Sequence, residues 1–366
     1  MRAAPFRDIL QQDVPLAELT TLRLGGKAQF FAACTNAEQI NEALRYARQQ
    51  GITVTILGGG SNIVFPDDAL PGLVLNIRLR GISVFEGTPT TVTAAAGEPW
   101  DEFVRFCIDY DLTGLECLSG IPGLVGATPI QNVGAYGQEV AETIQKVTAI
   151  DRETLESVEF SGPACEFGYR TSRFKSRDAG RYIITGVTFA LHRHAPPVLR
   201  YPELHRYLEA QGGTSALQPD RPALLAVRAA VLALRRNKSM VIDPADPDTR
   251  SAGSFFVNPI LSKEAGERLS EAWRAMGHTE PIPTFPAENG VKIPAAWLVE
   301  QAGFPRGYRR GGVGVSAHHA LALVNYAGTA RELLELADDI AKAVNERFGI
   351  TLEREPVVVS THPRLL

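Results

Sequence analysis

The chain has 366 residues, 37 basic and 41 acidic, for a formal net charge of -4, and 45% of it is hydrophobic. That length allows roughly two or three domains with several cores, and the near balance of charge excludes a general nucleic-acid or membrane-surface binder. No apolar run reaches the roughly 20 residues of a membrane span, and Cys34, Cys107, Cys117 and Cys165 have neither metal-ligand nor disulfide spacing, so no metal is expected and the reducing cytoplasm is the expected compartment.

In chain order, the opening residues MRAAPFRDILQQDVP lack the unbroken apolar core of a signal peptide. AQFFAA (28–33) reads as a strand. Residues 36–51 predict an amphipathic helix, with Asn36 as N-cap, Gln39 completing a capping box, and Ile40, Ala43, Leu44 and Ala47 on one apolar face. Gly51 ends it, and ITVTIL (52–57) follows as a buried strand.

Next comes GGGSN, Gly58 to Asn62. Three glycines let the backbone approach a ligand, and successive N–H groups can form a nest for phosphate oxygens. A tight turn is the plain alternative. Neither the G-x-G-x-x-G fingerprint nor a Walker loop occurs in the chain.

Residues 81–236 are strand-rich, as in TVTAAAG and RYIITGVTFAL, with helices expected over 98–112 and 221–238. Within them lies LSGIPGLVGATPIQNVGAYG (118–137). It is too glycine-dense for a helix or plain strand, and too apolar, through Ile121, Leu124, Val125, Ile130 and Val133, for a surface loop. Its backbone groups need partners outside regular structure, and a ligand packed on the main chain is one source. The Pro- and Asp-dense VIDPADPDTRSAG (241–253) reads as a linker at a domain boundary.

RSAGSFFVNP (250–259) holds Ser254 in apolar company. A hydrolase nucleophile turn needs glycine two residues before and after the serine, where this chain has Ala252 and Phe256. The third unit continues through the Gly-rich strand GGVGVS (311–316). A helix over 330–348 follows, with a Thr329–Glu332 capping box, an inner face of Leu333, Leu336, Ile340 and Val344, and a stop at Gly349. ITLEREPVVVS (350–360) is expected to be a strand returning to the first unit.

Five of these stretches, ILGGGSN, GLECLSGIPGLVGATPIQNVGAYG, FGYRTSRFK, AGSFFVNP and the terminal LERE, occur in one order. In that order the chain resembles the UDP-N-acetylenolpyruvoylglucosamine reductase (MurB) family of peptidoglycan-synthesis flavoenzymes, over nearly its whole length. The resemblance implies an α+β flavoprotein of three domains. Two would hold FAD in the vanillyl-alcohol-oxidase (PCMH) manner, residues 1–80 joined by the strand 350–366, and residues 81–236. The third, 237–349, would cover the substrate. FAD would be non-covalent, NADPH the co-substrate, and the protein a monomer that needs no nucleic acid or membrane.

By the match, Gly58, Gly59, Gly60, Ser61 and Asn62 would take the FAD pyrophosphate. Ile121, Pro122, Gly123, Val125, Gly126, Thr128, Ile130, Asn132, Gly134 and Ala135 would line the flavin and ribityl chain, and Ile184 would touch the ring system. The implied reaction turns an enolpyruvyl ether into a lactyl ether. Arg170 would grip the carboxylate on which charge develops, Ser254 would protonate C2, and Glu355 would act as the catalytic glutamate. Glu353 and the inserted Arg354 leave that register open. Tyr169, Asn258, Lys238 and His319 would contact the substrate, His318 competing with His319. Tyr201 would belong to the loop of the longer subtype. Two rivals stand beside this reading: another oxidoreductase of the same FAD fold, and a non-catalytic binder of flavin or sugar nucleotide.

Overall fold

The computed structural model describes residues 4–213, 218–287 and 290–361. The first unit is a mixed sheet ordered Leu10–Pro15, Lys27–Cys34, Leu70–Ile77, Val54–Leu57; only the first pair is antiparallel. The helix Ala37–Gln50 covers it with the expected face, as Ile40, Ala43, Leu44 and Ala47 are all buried. Asn36 caps the helix by accepting from the Gln39 N–H, and Gly51 ends it at φ +62°. The expected capping box differs: the Gln39 side chain accepts from the N–H of Thr35, one residue earlier, and donates to the Ala4 carbonyl. The strand expected over 52–57 is shorter and only half-buried at Val54, Thr55 and Ile56.

The second unit is a six-stranded sheet built on the twelve-residue strand Tyr182–Arg193, which pairs antiparallel with Ile144–Asp151 and Thr90–Ala95. Trp100–Asp109 and Arg221–Arg236 are the expected helices. One apolar cluster runs from Phe6 through Ile77 and Trp100 to Leu224, so the core is continuous across residue 80.

A separate core lies among the residues after 250, with Phe255, Phe256, Leu298, Leu323 and the inner face of Ala330–Phe348. Thr329 and Glu332 form the expected capping box, and Gly349 ends that helix at φ +67°. Leu22, Leu24 and Val64 of the first unit enter this core. Three hydrogen bonds reinforce the junction: Thr21 Oγ1 donates to the Ser251 carbonyl (2.6 Å), Asn325 Nδ2 to the Leu22 carbonyl (2.9 Å), and the Ala330 N–H to Asp67 Oδ1 (2.7 Å).

The returning tail is less regular than expected. Only Val357–Val358 is strand, parallel to Ile63–Val64, and residues 362–366 of the expected strand lie outside the described residues. Among those described, no helix is long and apolar enough to cross a membrane.

Candidate active site

Two glycine-dense loops meet to form one wall. A Cβ on Gly59 would lie 2.9 Å from the Gly123 Cα, and a Cβ on Gly60, at φ +69°, would lie 1.9 Å from the Leu19 carbonyl oxygen. Only glycine permits this approach. Ser61 Oγ donates to the Pro122 carbonyl at 3.2 Å and ties the loops together. The carbonyls of Gly58, Gly60 and Asn62 accept from Asn76 Nδ2, the Thr21 N–H and the Val357 N–H. The N–H groups of Gly59, Gly60, Ser61 and Asn62 find no protein acceptor among the described residues. Carbonyls fixed behind and free amides in front are what an anion nest requires. A Cβ on Gly58 would meet nothing nearer than Leu124 at 4.0 Å, so this face is open. The residues present therefore fit a dinucleotide pyrophosphate.

Along the second loop, Ile121, Pro122, Gly123, Gly126, Ile130, Gly134 and Ala135 are partly exposed. Val125, Thr128 and Asn132 sit beneath the surface. Asn132 is fully engaged there: its Nδ2 donates to Glu139 Oε2 and the Gly168 carbonyl, and its Oδ1 accepts from the Ala141 N–H. These three shape the loop from below. Ile184 is also buried, near the start of the long strand. Cys117, the cysteine nearest the loop in sequence, is fully buried, which suits a cofactor held without a covalent bond.

Arg170 stands over this loop. Its Nη2 donates to the Gly134 carbonyl at 2.7 Å, and its backbone takes the left-handed φ of +54°. For a non-glycine residue that conformation stores strain, commonly a mark of functional sites. Lys175 Nζ steadies it by donating to the Arg170 carbonyl at 3.2 Å. Arg170 Nε lies 3.7 Å from Glu355 Oε1.

The segment after Ser254 is flanked on both sides. Ser254 pairs with Ala322, and the Phe255 N–H donates to the Leu321 carbonyl at 2.7 Å. On the other side the Glu355 N–H donates to the Phe255 carbonyl and the Val257 N–H to the Glu353 carbonyl, both at 2.9 Å. This lays residues 353–355 beside the serine segment at strand spacing, about 4.8 Å. Glu355 points to Arg170 and accepts from Gln131 Nε2 at 3.0 Å, Glu353 is exposed, and Arg354 pairs with Asp338 of the last helix. Of the two glutamates, Glu355 is the one that faces Arg170. Burial pushes the Glu355 carboxyl above its ordinary pKa, against the opposing pull of Arg170, Lys175 and Gln131.

Two further groups flank this centre. Asn258 Nδ2 donates to Tyr169 Oη at 3.2 Å, and its Oδ1 accepts from the Ala295 N–H. Lys238 Nζ lies 2.7 Å from Glu203 Oε2 and 5.8 Å from the Tyr136 ring centre, and the Tyr136 and Tyr201 rings meet edge to face. His319 belongs here: burial, then nearby Lys238, Arg235 and Arg306, lower its pKa to about 4. Its Nδ1 accepts from the Leu321 N–H, so the neutral ring carries its proton on Nε2. His318 is exposed. The sequence reading missed Gln131, Lys175, Asn76, Glu203 and Tyr136. Gln131, Tyr136 and Lys175 lay inside quoted motifs, but nothing in their spacing assigns a role.

A family model described as UDP-N-acetylenolpyruvoylglucosamine reductase, C-terminal domain, matches residues 244–359, and one described as an FAD binding domain matches 28–155. The UDP-N-acetylenolpyruvoylglucosamine reductase of Thermobifida fusca is 46% identical over 355 residues, covering 95% of this chain and 97% of that protein. Its namesake from Mycobacterium tuberculosis H37Rv is 44% identical over 365 residues, covering 96% and 95%. The crystal structure of the Thermus caldophilus enzyme matches 95% of this chain and 97% of its own with a TM-score of 0.62 at 22% identity, a likeness of fold. With that identity sustained over almost its full length, the chain belongs to the UDP-N-acetylenolpyruvoylglucosamine reductase family.

Proposed function

We propose that this chain reduces the enolpyruvyl ether of UDP-N-acetylglucosamine enolpyruvate to the lactyl ether of UDP-N-acetylmuramate, with NADPH as reductant and FAD as carrier, in peptidoglycan precursor synthesis. The observation that carries it is the meeting of Arg170, Glu355 and the Ser254 strand beside a glycine wall whose amides have no protein acceptor among the described residues. Bound FAD supplies hydride, received from NADPH, for C3 of the enolpyruvyl group.

Arg170 holds the substrate carboxylate and the charge that develops on it. Ser254 gives a proton to C2. Glu355, whose pKa burial raises, is biased toward its neutral form, which lessens the repulsion between it and the charged substrate carboxylate. Tyr169 and Asn258 orient the sugar nucleotide, and Lys238, Tyr201 and His319 receive its charged and polar end. Residues 1–80 with the returning tail, and 81–236, hold the cofactor; 237–349 cover the substrate. The active species is a cytoplasmic monomer. A non-catalytic binder would need the nest but not the Arg170–Glu355 pair.

The purified protein is expected to be yellow, with FAD released on denaturation. NADPH should bleach it anaerobically, and the enolpyruvyl nucleotide should restore the colour. A colourless protein, or one that NADPH leaves oxidised, refutes the reading.

A further inference from the structure

Three amide and carboxyl groups form a closed ring that the reaction as described does not use. Asn62 Nδ2 donates to the main-chain carbonyl of Glu355 at 3.3 Å and to Gln131 Oε1 at 3.0 Å. Gln131 Nε2 then donates to the Glu355 carboxylate Oε1 at 3.0 Å. The ring starts and ends on one residue.

Its polarity has a single consistent sense. A main-chain carbonyl only accepts, so the Asn62 group facing it is the NH2. The Gln131 group facing that NH2 is then its oxygen, and the Gln131 NH2 is turned to the carboxylate. Amide orientation is commonly ambiguous, but here an acceptor-only atom fixes both side chains. Asn62 also belongs to the nest: its own carbonyl accepts from the Val357 N–H, while its N–H has no protein acceptor among the described residues.

We propose that Gln131, oriented by Asn62, is a positioning residue that selects which oxygen of Glu355 carries the proton. The inference rests on the role given to Glu355 above. Gln131 Nε2 and Arg170 Nε both address Oε1. A donor opposite an oxygen disfavours a proton there, so the proton resides on Oε2. Lys175 is the other cation acting on this carboxyl, on the same side of the balance as Arg170. The ring also links the phosphate nest to the acid, so whatever fixes Asn62 fixes the Glu355 carboxyl.

The test is a double-variant cycle. Gln131→Met keeps the length and removes the donor, with Gln131→Leu as a second apolar variant. Asn62→Asp replaces the NH2 by an acceptor and turns the Gln131 oxygen toward Glu355. Two readouts follow the Glu355 titration. One is difference infrared spectroscopy of the FAD-free protein, with the band assigned by its loss in Glu355→Gln. The other is the pH profile of single-turnover flavin reoxidation by the enolpyruvyl nucleotide. Each single change should raise the apparent pKa of Glu355 by about one unit. The pair together should raise it no further than the larger single change, because both act through one hydrogen bond. Additive shifts would mean that the carboxylate introduced by Asn62→Asp acts only as a distant charge, and an unmoved titration in Gln131→Met would leave Gln131 a packing residue; either overturns the proposal. Failure of NADPH to bleach the unmodified protein would refute the functional reading, while the infrared titration would still decide this one.

Discussion

The Glu355 carboxyl is pulled in two directions: burial favours the neutral form, while Arg170, Lys175 and Gln131 favour the charged one, and burial prevails. A carboxyl whose folded pKa exceeds its unfolded value contributes most stability below the unfolded pKa. That contribution is lost as pH rises through the folded value. Glu355→Gln is therefore expected to melt higher than the parent at pH 8, by a few degrees, with the gap closing toward pH 4; scanning fluorimetry across that range checks it. An unchanged gap at both ends would place Glu355 in water rather than beside the serine segment. Ser254→Ala belongs to the same scale. It should leave NADPH bleaching within about twofold of the parent but slow reoxidation by the enolpyruvyl nucleotide at least about 100-fold, read by stopped-flow absorbance of the two half-reactions. Equal slowing of both halves would make Ser254 a packing residue. Individual residues were legible in uneven measure. Arg170 and Ser254 lie in distinctive motifs, whereas the sequence does not show that Glu355 rather than Glu353 faces Arg170, which follows from the pairing of residues 353–355 with Phe255 and Val257. Gln131 carried no signal, because its partners lie 69 and 224 positions away.

The cofactor wall is a property of two loops and the strands that launch them. Asn76, in the strand Leu70–Ile77, donates to the carbonyls of Leu57 and Gly58 and holds the first loop at its root. Gly58 and Gly60 then make opposite demands. Gly58→Ala adds a methyl to open space, so the apoprotein should melt within about 1 °C of the parent while FAD retention falls about tenfold or more, measured by released FAD per protein. Gly60→Ala drives a Cβ into the Leu19 carbonyl at positive φ and should cost several kcal/mol, roughly 2–4, in urea unfolding. Equal destabilisation by both would show that the open side of the nest is not open. Elements with strong periodicity were readable in advance: Ala37–Gln50 and Ala330–Phe348 bury the faces their spacing marks. Lys263–Ala275 was not read, although Ala265, Leu269, Ala272 and Trp273 recur at helical spacing; of its residues only Gly266 and Trp273 are buried. The tail returns to the first unit as expected, but only Val357–Val358 is strand, because the rest is held by scattered backbone bonds.

Across the whole molecule, the third unit is fastened to the first as well as to its neighbour in sequence, which it meets through Asn258–Tyr169 and Lys238–Glu203. Asp67 is the clearest fastener: Oδ1 and Oδ2 accept from the N–H groups of Ala330 and Arg331, at the first turn of the last helix. A carboxylate on two free amides at a helix N-terminus is favourable for both dipole and hydrogen bonding. Asp67→Ala is expected to lower stability by about 1–2 kcal/mol, seen as a lower urea midpoint. It should also raise the KM for the enolpyruvyl nucleotide more than that for NADPH reduction of FAD. A change in neither would mean that Thr329 alone suffices as cap. Sequence could not show this, since Thr21–Ser251, Leu22–Asn325 and Asp67–Ala330 span more than 200 residues each.

The laying of residues 353–355 beside Phe255 has a consequence in time. Chains emerge from the ribosome from the N-terminus onward, and their early units begin to fold first. The glycine wall, Arg170 and Ser254 are all synthesised before Glu355, and the Val357 N–H that secures Asn62 follows later still. A nascent chain therefore owns Gly58 to Asn62 and Arg170 long before the tail that completes them, because Glu355, which faces Arg170, and Val357, which secures the Asn62 carbonyl, arrive together at the end of synthesis. Nest and carboxyl are finished by one late event, the docking of the tail.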